Sequence, residues 1–189
     1  MSPDALTGGF ADAPREGARA FRAVLDALAH PGRIVALTGA QPPAPMSVAA
    51  GTMILVLCDP TTPLHLAGRH DTPDIRDWVT FHSGAPLVSA EQAAFALGDW
   101  EALQPIDRFA IGTPDYPDRS ATLIVERPAL AAEGARLTGP GIANQAALNL
   151  PPSEAFQANR AHFPQGIDFF LTCGDRLAGL PRTTRVEAA

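Results

Sequence analysis

The sequence predicts an α/β protein with a mixed sheet flanked by helices. Helical and strand-like segments alternate along its 189 residues, which is typical of strands joined by helical crossovers. Two strand-like runs near the C-terminus are separated by Gly174-Asp175, which predicts a hairpin and therefore an antiparallel pair. The length suits one domain of ordinary size, so we expect a single domain over residues 1–189.

Three helices and two strands are expected in the N-terminal half. In order, they are a helix over 14–29, a strand over 33–37, a helix within 46–58, a strand over 64–67 and a helix over 73–84. Asp12 and Asp71-Thr72 stand where helix N-caps are favoured, and Pro14 and Pro73 suit a first helical turn. The apolar run 46–58 is ambiguous, but its length favours a buried helix over a strand.

The C-terminal half is expected to supply most of the sheet. The strand candidates are residues 93–97, 121–125, 167–172 and 177–180, and the last two form the predicted hairpin. A helix is expected to begin at Pro152-Ser153-Glu154 and to end near Phe163-Pro164.

Charge and composition exclude several classes of function. The 14 basic residues are all arginine, and the net charge is -6, which argues against a nucleic-acid partner because duplex binding needs clustered cations. Without lysine, no internal Schiff base can form on a side chain. The sequence has no apolar run long enough to span a membrane and no signal-peptide pattern at its start, so we expect a cytoplasmic protein.

The cysteines and histidines give little sign of a metal site. Cys58 and Cys173 are too few for a zinc site or a disulfide framework, and we expect both to be small core residues. His65 and His70 are five residues apart, which is a poor spacing for metal ligands. His82 is expected to interact with terminal carbonyls at the end of its helix.

Two segments of the C-terminal third could face an anion. Gly139-Pro140-Gly141 could bring backbone close to a phosphate, but Pro140 lacks an N–H donor, so a structural turn is favoured. Arg182-Thr183-Thr184-Arg185 offers two guanidiniums and two hydroxyls. The other interpretation of this cluster is an edge strand whose arginines pair with acids. We favour it, because Asp168 is placed to hold Arg182 across the hairpin by a charge-assisted hydrogen bond.

Three short blocks occur in a fixed order in this third of the chain: Leu137-Thr138-Gly139-Pro140-Gly141-Ile142, Phe163-Pro164-Gln165-Gly166-Ile167-Asp168 and Leu180-Pro181-Arg182-Thr183-Thr184. Upstream blocks precede them at residues 20–22, 29–32, 57–62, 81–85 and 120–123. In this order and spacing the chain resembles the PhnH family, whose members belong to the carbon-phosphorus lyase core complex, over nearly its whole length. One departure is Asp118, which follows Pro117 where the family is expected to have Glu.

The resemblance implies a subunit of a phosphonate-degrading complex. The family looks like the large domain of aspartate-aminotransferase-type pyridoxal-phosphate enzymes without their cofactor, and it forms a homodimer. In the family, PhnG, PhnH, PhnI and PhnJ form one core assembly. PhnI, supported by PhnG, PhnH and PhnL, attaches ribose triphosphate from ATP to the phosphonate, and PhnJ later cleaves the carbon-phosphorus bond. The resemblance therefore implies a supporting subunit without catalytic, cofactor-binding or metal-binding residues.

Two alternatives remain open at this point. One is a free-standing enzyme or phosphonate-binding protein that uses the cluster at 182–185. The other is a degenerate cofactor protein that still binds pyridoxal phosphate noncovalently.

Overall fold

The structure is a computed structural model that describes residues 6–188. Its helices are α1 (Ala13–Ala29), α2 (Val48–Leu57), α3 (Pro73–His82) and α4 (Glu154–Ala161). Its strands are β1 (Ile34–Ala36), β2 (Leu64–Leu66), β3 (Phe95–Asp99), β4 (Thr122–Glu126), β5 (Ala135–Thr138), β6 (Ala146–Leu148), β7 (Asp168–Cys173), β8 (Arg176–Leu180) and β9 (Arg185–Glu187). The predicted α/β class with a mixed sheet is confirmed.

The strands form two sheets in the described part of the chain. A six-stranded sheet has the order β1-β8-β7-β4-β3-β2, and a three-stranded sheet has the order β6-β5-β9. In the large sheet, β2, β3, β4 and β7 are parallel, whereas β8 is antiparallel to both of its neighbours. The predicted hairpin is therefore the element that makes the sheet mixed, and its turn has Gly174 at φ +60°.

Both faces of the large sheet are covered. Along β4, Ile124 belongs to one apolar cluster, whereas Leu123 and Val125 belong to the other, because successive strand residues point to opposite faces. The first cluster includes buried residues of α1, α2 and α3. The second includes Phe156 of α4 and Leu137 of the small sheet. The large sheet thus lies between a helical layer and a layer made of α4 and the small sheet.

Local signals explain where the helices begin. Asp12 accepts a hydrogen bond from the Arg15 backbone N–H, and Thr72 accepts one from the Ile75 backbone N–H. Ser47 caps α2, so the ambiguous apolar run contains a buried helix, as its length predicted. No helix between residues 6 and 188 is both long enough and apolar enough to cross a membrane.

The small sheet was not predicted from the sequence. β5 and β6 flank the Gly139-Pro140-Gly141 segment, and β9 pairs with β5 from the far end of the chain. Arg185 does lie on an edge strand, as one of the two interpretations of its cluster held. The three strands are only three or four residues long, which is too short for an alternating pattern to identify them.

The prediction for the cysteines was right for Cys58 and wrong for Cys173. Cys58 is 6% exposed, and burial raises the pKa of its thiol to about 12. Cys173 is partly exposed at the end of β7, where its Sγ lies 3.5 Å from the Pro128 carbonyl oxygen. It is the last residue before the hairpin turn, so it packs against the margin of the second apolar cluster and stays partly exposed.

Candidate functional site

The Gly139-Pro140-Gly141 segment is a turn between β5 and β6. The Ile142 N–H donates to the Gly139 carbonyl at 3.2 Å, and both glycines have positive φ angles, of 135° and 82°. Gly139 packs against residues 183–185, and Gly141 packs against the Ala29 carbonyl at the end of α1. The turn therefore joins three of the blocks on which the family resemblance rests.

Asp168 and Arg182 form an ion pair at the amino edge of the large sheet. Asp168 Oδ1 accepts from the Arg182 backbone N–H at 2.8 Å and from Nε at 3.1 Å, and Oδ2 accepts from Nη2 at 2.6 Å. Arg182 also donates from Nη1 to the Pro117 carbonyl at 2.7 Å and from Nη2 to the Ser120 hydroxyl at 2.6 Å. The two charged side chains are only 12% and 21% exposed.

This network joins segments that are distant in the sequence. Asp168 is the first residue of β7, Arg182 follows β8, and Pro117 and Ser120 precede β4. Four of the guanidinium N–H groups are engaged by these neighbours, out of the five that an arginine carries. We call the four residues the Arg182 brace. The sequence indicated the Asp168 contact but not the contacts to Pro117 and Ser120.

The other residues of the 182–185 cluster do not share one surface with Arg182. Thr183 is half-buried, Thr184 is buried, and Arg185 is exposed on β9 of the small sheet. Among residues 6–188, the Thr184 hydroxyl has no hydrogen-bond partner. A multiply charged anion needs several converging donors. Arg182 and Thr183 line one groove, whereas the cavity that Arg182 shares with Thr184 has a volume of only about 10 Å³.

That groove lies beside the Arg182 brace and has a volume of about 320 Å³. Half of its lining is proline and phenylalanine and half is polar or charged: Pro117, Asp118, Phe163, Pro164, Asp168, Pro181, Arg182 and Thr183. Asp118, the position at which the chain departs from the expected family pattern, therefore faces this groove rather than the core.

A second polar cluster lies at the carboxyl edge of the parallel strands, where α/β proteins commonly bind ligands. Asp99, Glu126 and Thr172 end or nearly end β3, β4 and β7 and are aligned across the sheet. Glu126 accepts from the Ser47 backbone N–H at 2.7 Å and from the Thr172 hydroxyl at 3.1 Å. Its carboxylate therefore occupies the N-terminus of α2, a position that favours negative charge.

Burial raises the pKa of Glu126, whereas the hydrogen bonds from Ser47 and Thr172 lower it and nearby Asp99 raises it. Glu126 was not predicted as a site residue from the sequence. The pattern that indicates it is an acidic residue directly after the apolar run Leu123-Ile124-Val125. Such a residue marks the end of a strand, at the edge of the sheet where α/β proteins commonly bind ligands.

The three histidines weighed as metal ligands lie in different surroundings. His65 Nδ1 is hydrogen-bonded to the Val88 carbonyl at 3.0 Å. His82 does not bind the carbonyls at the end of its helix, so that prediction was wrong. Its Nε2 bonds instead to the carbonyl of Thr7 in the N-terminal segment at 2.9 Å, as does the Trp78 indole N–H at 3.0 Å. Across residues 6–188, no three His, Cys, Asp or Glu side chains come together as a metal site.

His70 is fully buried next to the carboxyl-edge cluster, and neither ring nitrogen makes a well-aligned hydrogen bond to any residue of the described range 6–188. Burial lowers the pKa of His70. Asp99 and the Pro45 carbonyl oppose this effect, whereas Arg69 adds to it. Burial therefore favours the neutral form of the ring in the folded protein.

We expect His70 to make stability depend on pH. A histidine in the unfolded chain takes up a proton near pH 6.5, whereas burial in the folded protein disfavours protonation of His70. The contribution of His70 to the free energy of unfolding is therefore fully present above pH 6.5 and is lost as the pH falls below that value. The slope is at most about 1.4 kcal/mol per pH unit for one proton. Urea unfolding of the wild type and of His70→Leu between pH 7.5 and 5.5 measures it, and the variant is expected to show the smaller loss over this range.

His162→Leu is the matched control, because His162 is exposed. Glu126 acts in the opposite sense, since the raised pKa of a carboxyl favours the folded state as the pH falls. Comparing each variant with the wild type removes this contribution. Equal pH slopes for the wild type and His70→Leu would refute the assignment.

Taken together, the fold and the two polar clusters define an α/β protein with an internal brace at the amino edge of its large sheet. Five of the blocks that carried the family resemblance meet around that brace and the neighbouring turn: residues 120–123, 163–168 and 180–184 at the brace, and residues 29–32 and 137–142 at the turn.

Comparison with known proteins identifies the family. Residues 8–187 match the family described as bacterial phosphonate metabolism protein (PhnH). The chain is 41% identical, over 96% of its length and 95% of the relative's, to the alpha-D-ribose 1-methylphosphonate 5-triphosphate synthase subunit PhnH of Rhizobium meliloti (strain 1021). It is 32% identical, over 93% of its length and 87% of the relative's, to the putative C-P lyase subunit protein HtxG of Stutzerimonas stutzeri. The chain belongs to the PhnH family, and the resemblance inferred from the sequence is confirmed.

Proposed function

We propose that this protein is a subunit of the carbon-phosphorus lyase core complex in alkylphosphonate catabolism. In this role it supports transfer of ribose triphosphate from ATP to the phosphonate and contributes no catalytic residue of its own. The observation that carries the proposal is the similarity over nearly the full length to a relative named as a subunit of a ribose 1-methylphosphonate 5-triphosphate synthase. Its partners would be PhnG, PhnI and PhnJ, in the cytoplasm.

The geometry supports a non-catalytic role. Arg182, the arginine in the groove beside the brace, is held by Asp168, Pro117 and Ser120. At the opposite edge of the sheet, Glu126 is held by the Ser47 N–H and the Thr172 hydroxyl. A general base or an anion-binding group must be available to its substrate, whereas both of these groups are bound to neighbours in the same chain.

Gene deletion tests the proposal in the host. The deletion strain is expected to lose growth on methylphosphonate as the only phosphorus source and to keep growth on inorganic phosphate, and the intact gene should restore the first. Purified protein alone should release no adenine from ATP in the presence of methylphosphonate. Unchanged growth on methylphosphonate, or adenine release by the isolated chain, would refute the proposal.

One observation favours a second candidate, a phosphonate-binding protein that acts alone. The groove of about 320 Å³ beside Arg182 also contains Thr183, and one guanidinium N–H group has no partner among the bonds of the brace. A small dianion such as methylphosphonate could use these donors. Isothermal titration with methylphosphonate and with ATP separates this candidate from the supporting subunit, which should bind neither on its own.

We further propose that the chain is one PhnH domain and that it shares the architecture of the large domain of aspartate-aminotransferase-type enzymes. A sheet with one antiparallel strand and coverage on both faces supports this comparison. Superposition of an experimentally determined structure of this chain on such an enzyme tests it. Because the chain has no lysine, pyridoxal phosphate could bind only without a side-chain aldimine.

We expect a homodimer in solution. The family resemblance implies it, and large apolar side chains such as Tyr116 and Phe163 are about half exposed, which is typical of surfaces that contact another protein. Sedimentation equilibrium at micromolar concentration measures the mass directly. A monomer mass across that concentration range would contradict the expectation.

A further inference from the structure

The solvent face of α1 carries a stripe of apolar side chains. Phe21 and Leu25 are 45% and 49% exposed, and Ala18 is exposed one turn before them. Residues three and four apart lie on the same face of a helix, so the three form one continuous stripe. The helix is anchored to the core through Ala20, Val24 and Ala27, so its packing does not require the stripe.

Phe21 differs from the other exposed aromatic side chains. The Phe81 ring contacts the His82 ring at 4.9 Å, and the guanidiniums of Arg119 and Arg160 lie over the rings of Tyr116 and Phe163 at 4.1 and 5.0 Å. Within residues 6–188, Phe21 has no such ring or cation partner. Burial of Phe and Leu side chains is favourable, and about half of each of these two side chains remains exposed.

A row of arginines runs beside the stripe. Arg15, Arg19 and Arg22 follow one another at helical spacing along its edge. Arg15 lies 3.6 Å from Asp12, but neither Arg19 nor Arg22 has a hydrogen bond or an ion pair within residues 6–188. Asp26, one turn beyond Arg22, binds Arg33 and His30 instead.

The chain is acidic overall, with 20 acidic and 14 basic residues. Exposed arginines such as Arg69, Arg76 and Arg136 have acidic partners, whereas Arg19 and Arg22, like Arg176 and Arg185, have none within residues 6–188. Arg19 and Arg22 are therefore free cations on an acidic protein, next to apolar side chains that nothing covers within the described range.

We propose that this outer α1 face, formed by Ala18, Arg19, Phe21, Arg22 and Leu25, is a docking surface for a protein that presents an apolar pocket bordered by Asp and Glu. Phe21 and Leu25 would enter the pocket as anchors spaced by one turn, and the acids would neutralise the arginines. The proposal deepens the proposed function and rests on it, because the partner is taken to be another member of the core complex.

A second copy of this chain is a poorer occupant of the same face. A two-fold contact brings identical patches together, so α1 against α1 would place one arginine row near the other. Like charges in a contact oppose binding. Charge complementarity therefore favours a different protein with an acidic rim, and the homodimer contact would lie elsewhere.

Co-expression of the tagged chain with PhnG, PhnI and PhnJ tests the proposal. The two test variants are Phe21→Ala with Leu25→Ala, and Arg19→Glu with Arg22→Glu. Each is expected to lower the amount of the other subunits retained on the tagged chain at least tenfold. The matched controls are Phe81→Ala, at a side chain 52% exposed, and Arg176→Glu, at an exposed arginine on β8; both should retain the subunits as the wild type does.

All variants alter exposed side chains, so their circular dichroism spectra and thermal midpoints should match those of the wild type. Retention of the subunits by the wild type and equally by both test variants would overturn the α1 proposal and leave the proposed function intact. Failure of the wild type to retain any of the subunits would overturn both.

Sedimentation with vesicles of phosphatidylglycerol and phosphatidylcholine tests the competing occupant, an anionic membrane surface. The wild type is expected to stay in the supernatant. Vesicle binding that both test variants lose would overturn the proposal in favour of a lipid surface.

Discussion

Replacing Arg182 with alanine is expected to lower the free energy of unfolding by roughly 1–3 kcal/mol. The change removes the cation that Asp168, Pro117 and Ser120 share and leaves the Asp168 carboxylate, which is only 21% exposed, without its ion partner. The backbone N–H of residue 182 can still donate to this carboxylate, but one hydrogen bond does not replace the hydration that a half-buried charge has lost. Urea unfolding at pH 7 measures the effect, and Asp168→Ala should produce a loss of similar size.

Arg136→Ala is the matched control for this prediction. Arg136 also pairs with an acid, Glu187, but the two side chains are 54% and 50% exposed, and exposed ion pairs contribute about 0–1 kcal/mol. Titration of wild type and Arg182→Ala with methylphosphonate completes the test. Saturable micromolar binding that Arg182→Ala abolishes, with an unchanged midpoint of unfolding, would reject the brace and support an anion site.

The parts of this fold that sequence analysis predicted depend on local chemistry. Asp12 and Thr72 cap the helices that they were expected to cap, because capping involves only residues within one turn. The β7–β8 hairpin likewise follows from the short segment around Gly174. Asp168 was placed near Arg182 for the same reason, since a hairpin fixes which residues lie opposite each other.

The parts that were missed depend on contacts between distant segments. β9 pairs with β5 about 50 residues earlier in the chain, with Thr138 opposite Arg185, and no local pattern specifies that pairing. Ser120 reaches Arg182 from a loop before β4. Glu126 belongs to the carboxyl-edge cluster because the N-terminus of α2 brings the Ser47 N–H within hydrogen-bonding distance of its carboxylate at the end of β4.

These long-range contacts also explain the two glycines of the family block 137–142. Gly139 lies against residues 183–185, and Gly141 lies against the end of α1, so both positions are defined by close approach of backbone to backbone. Such approach needs residues without side chains. The glycines of this block are therefore explained by how the chain packs.

Gly141→Ala is expected to be more damaging than the loss of the ion pair, at about 3 kcal/mol or more. Gly141 has φ +82°, and a Cβ at this position would lie 2.0 Å from the Ala29 carbonyl oxygen and 3.0 Å from Pro31 Cδ. Relief of that overlap must move the backbone at the end of α1 or the turn itself, because the nearest atom belongs to the main chain. Urea unfolding, or a failure to accumulate as soluble protein, measures the effect.

Gly174→Ala separates the two causes of that damage. Gly174 also has a positive φ, of 60°, but a Cβ there would meet nothing within 4 Å, so alanine adds only the conformational strain of about 1–2 kcal/mol. The excess loss in Gly141→Ala over Gly174→Ala is therefore the cost of forcing the turn away from α1. Equal free energies of unfolding for the two variants would show that the turn is not packed against α1. The inference that family blocks meet at this turn would then be wrong.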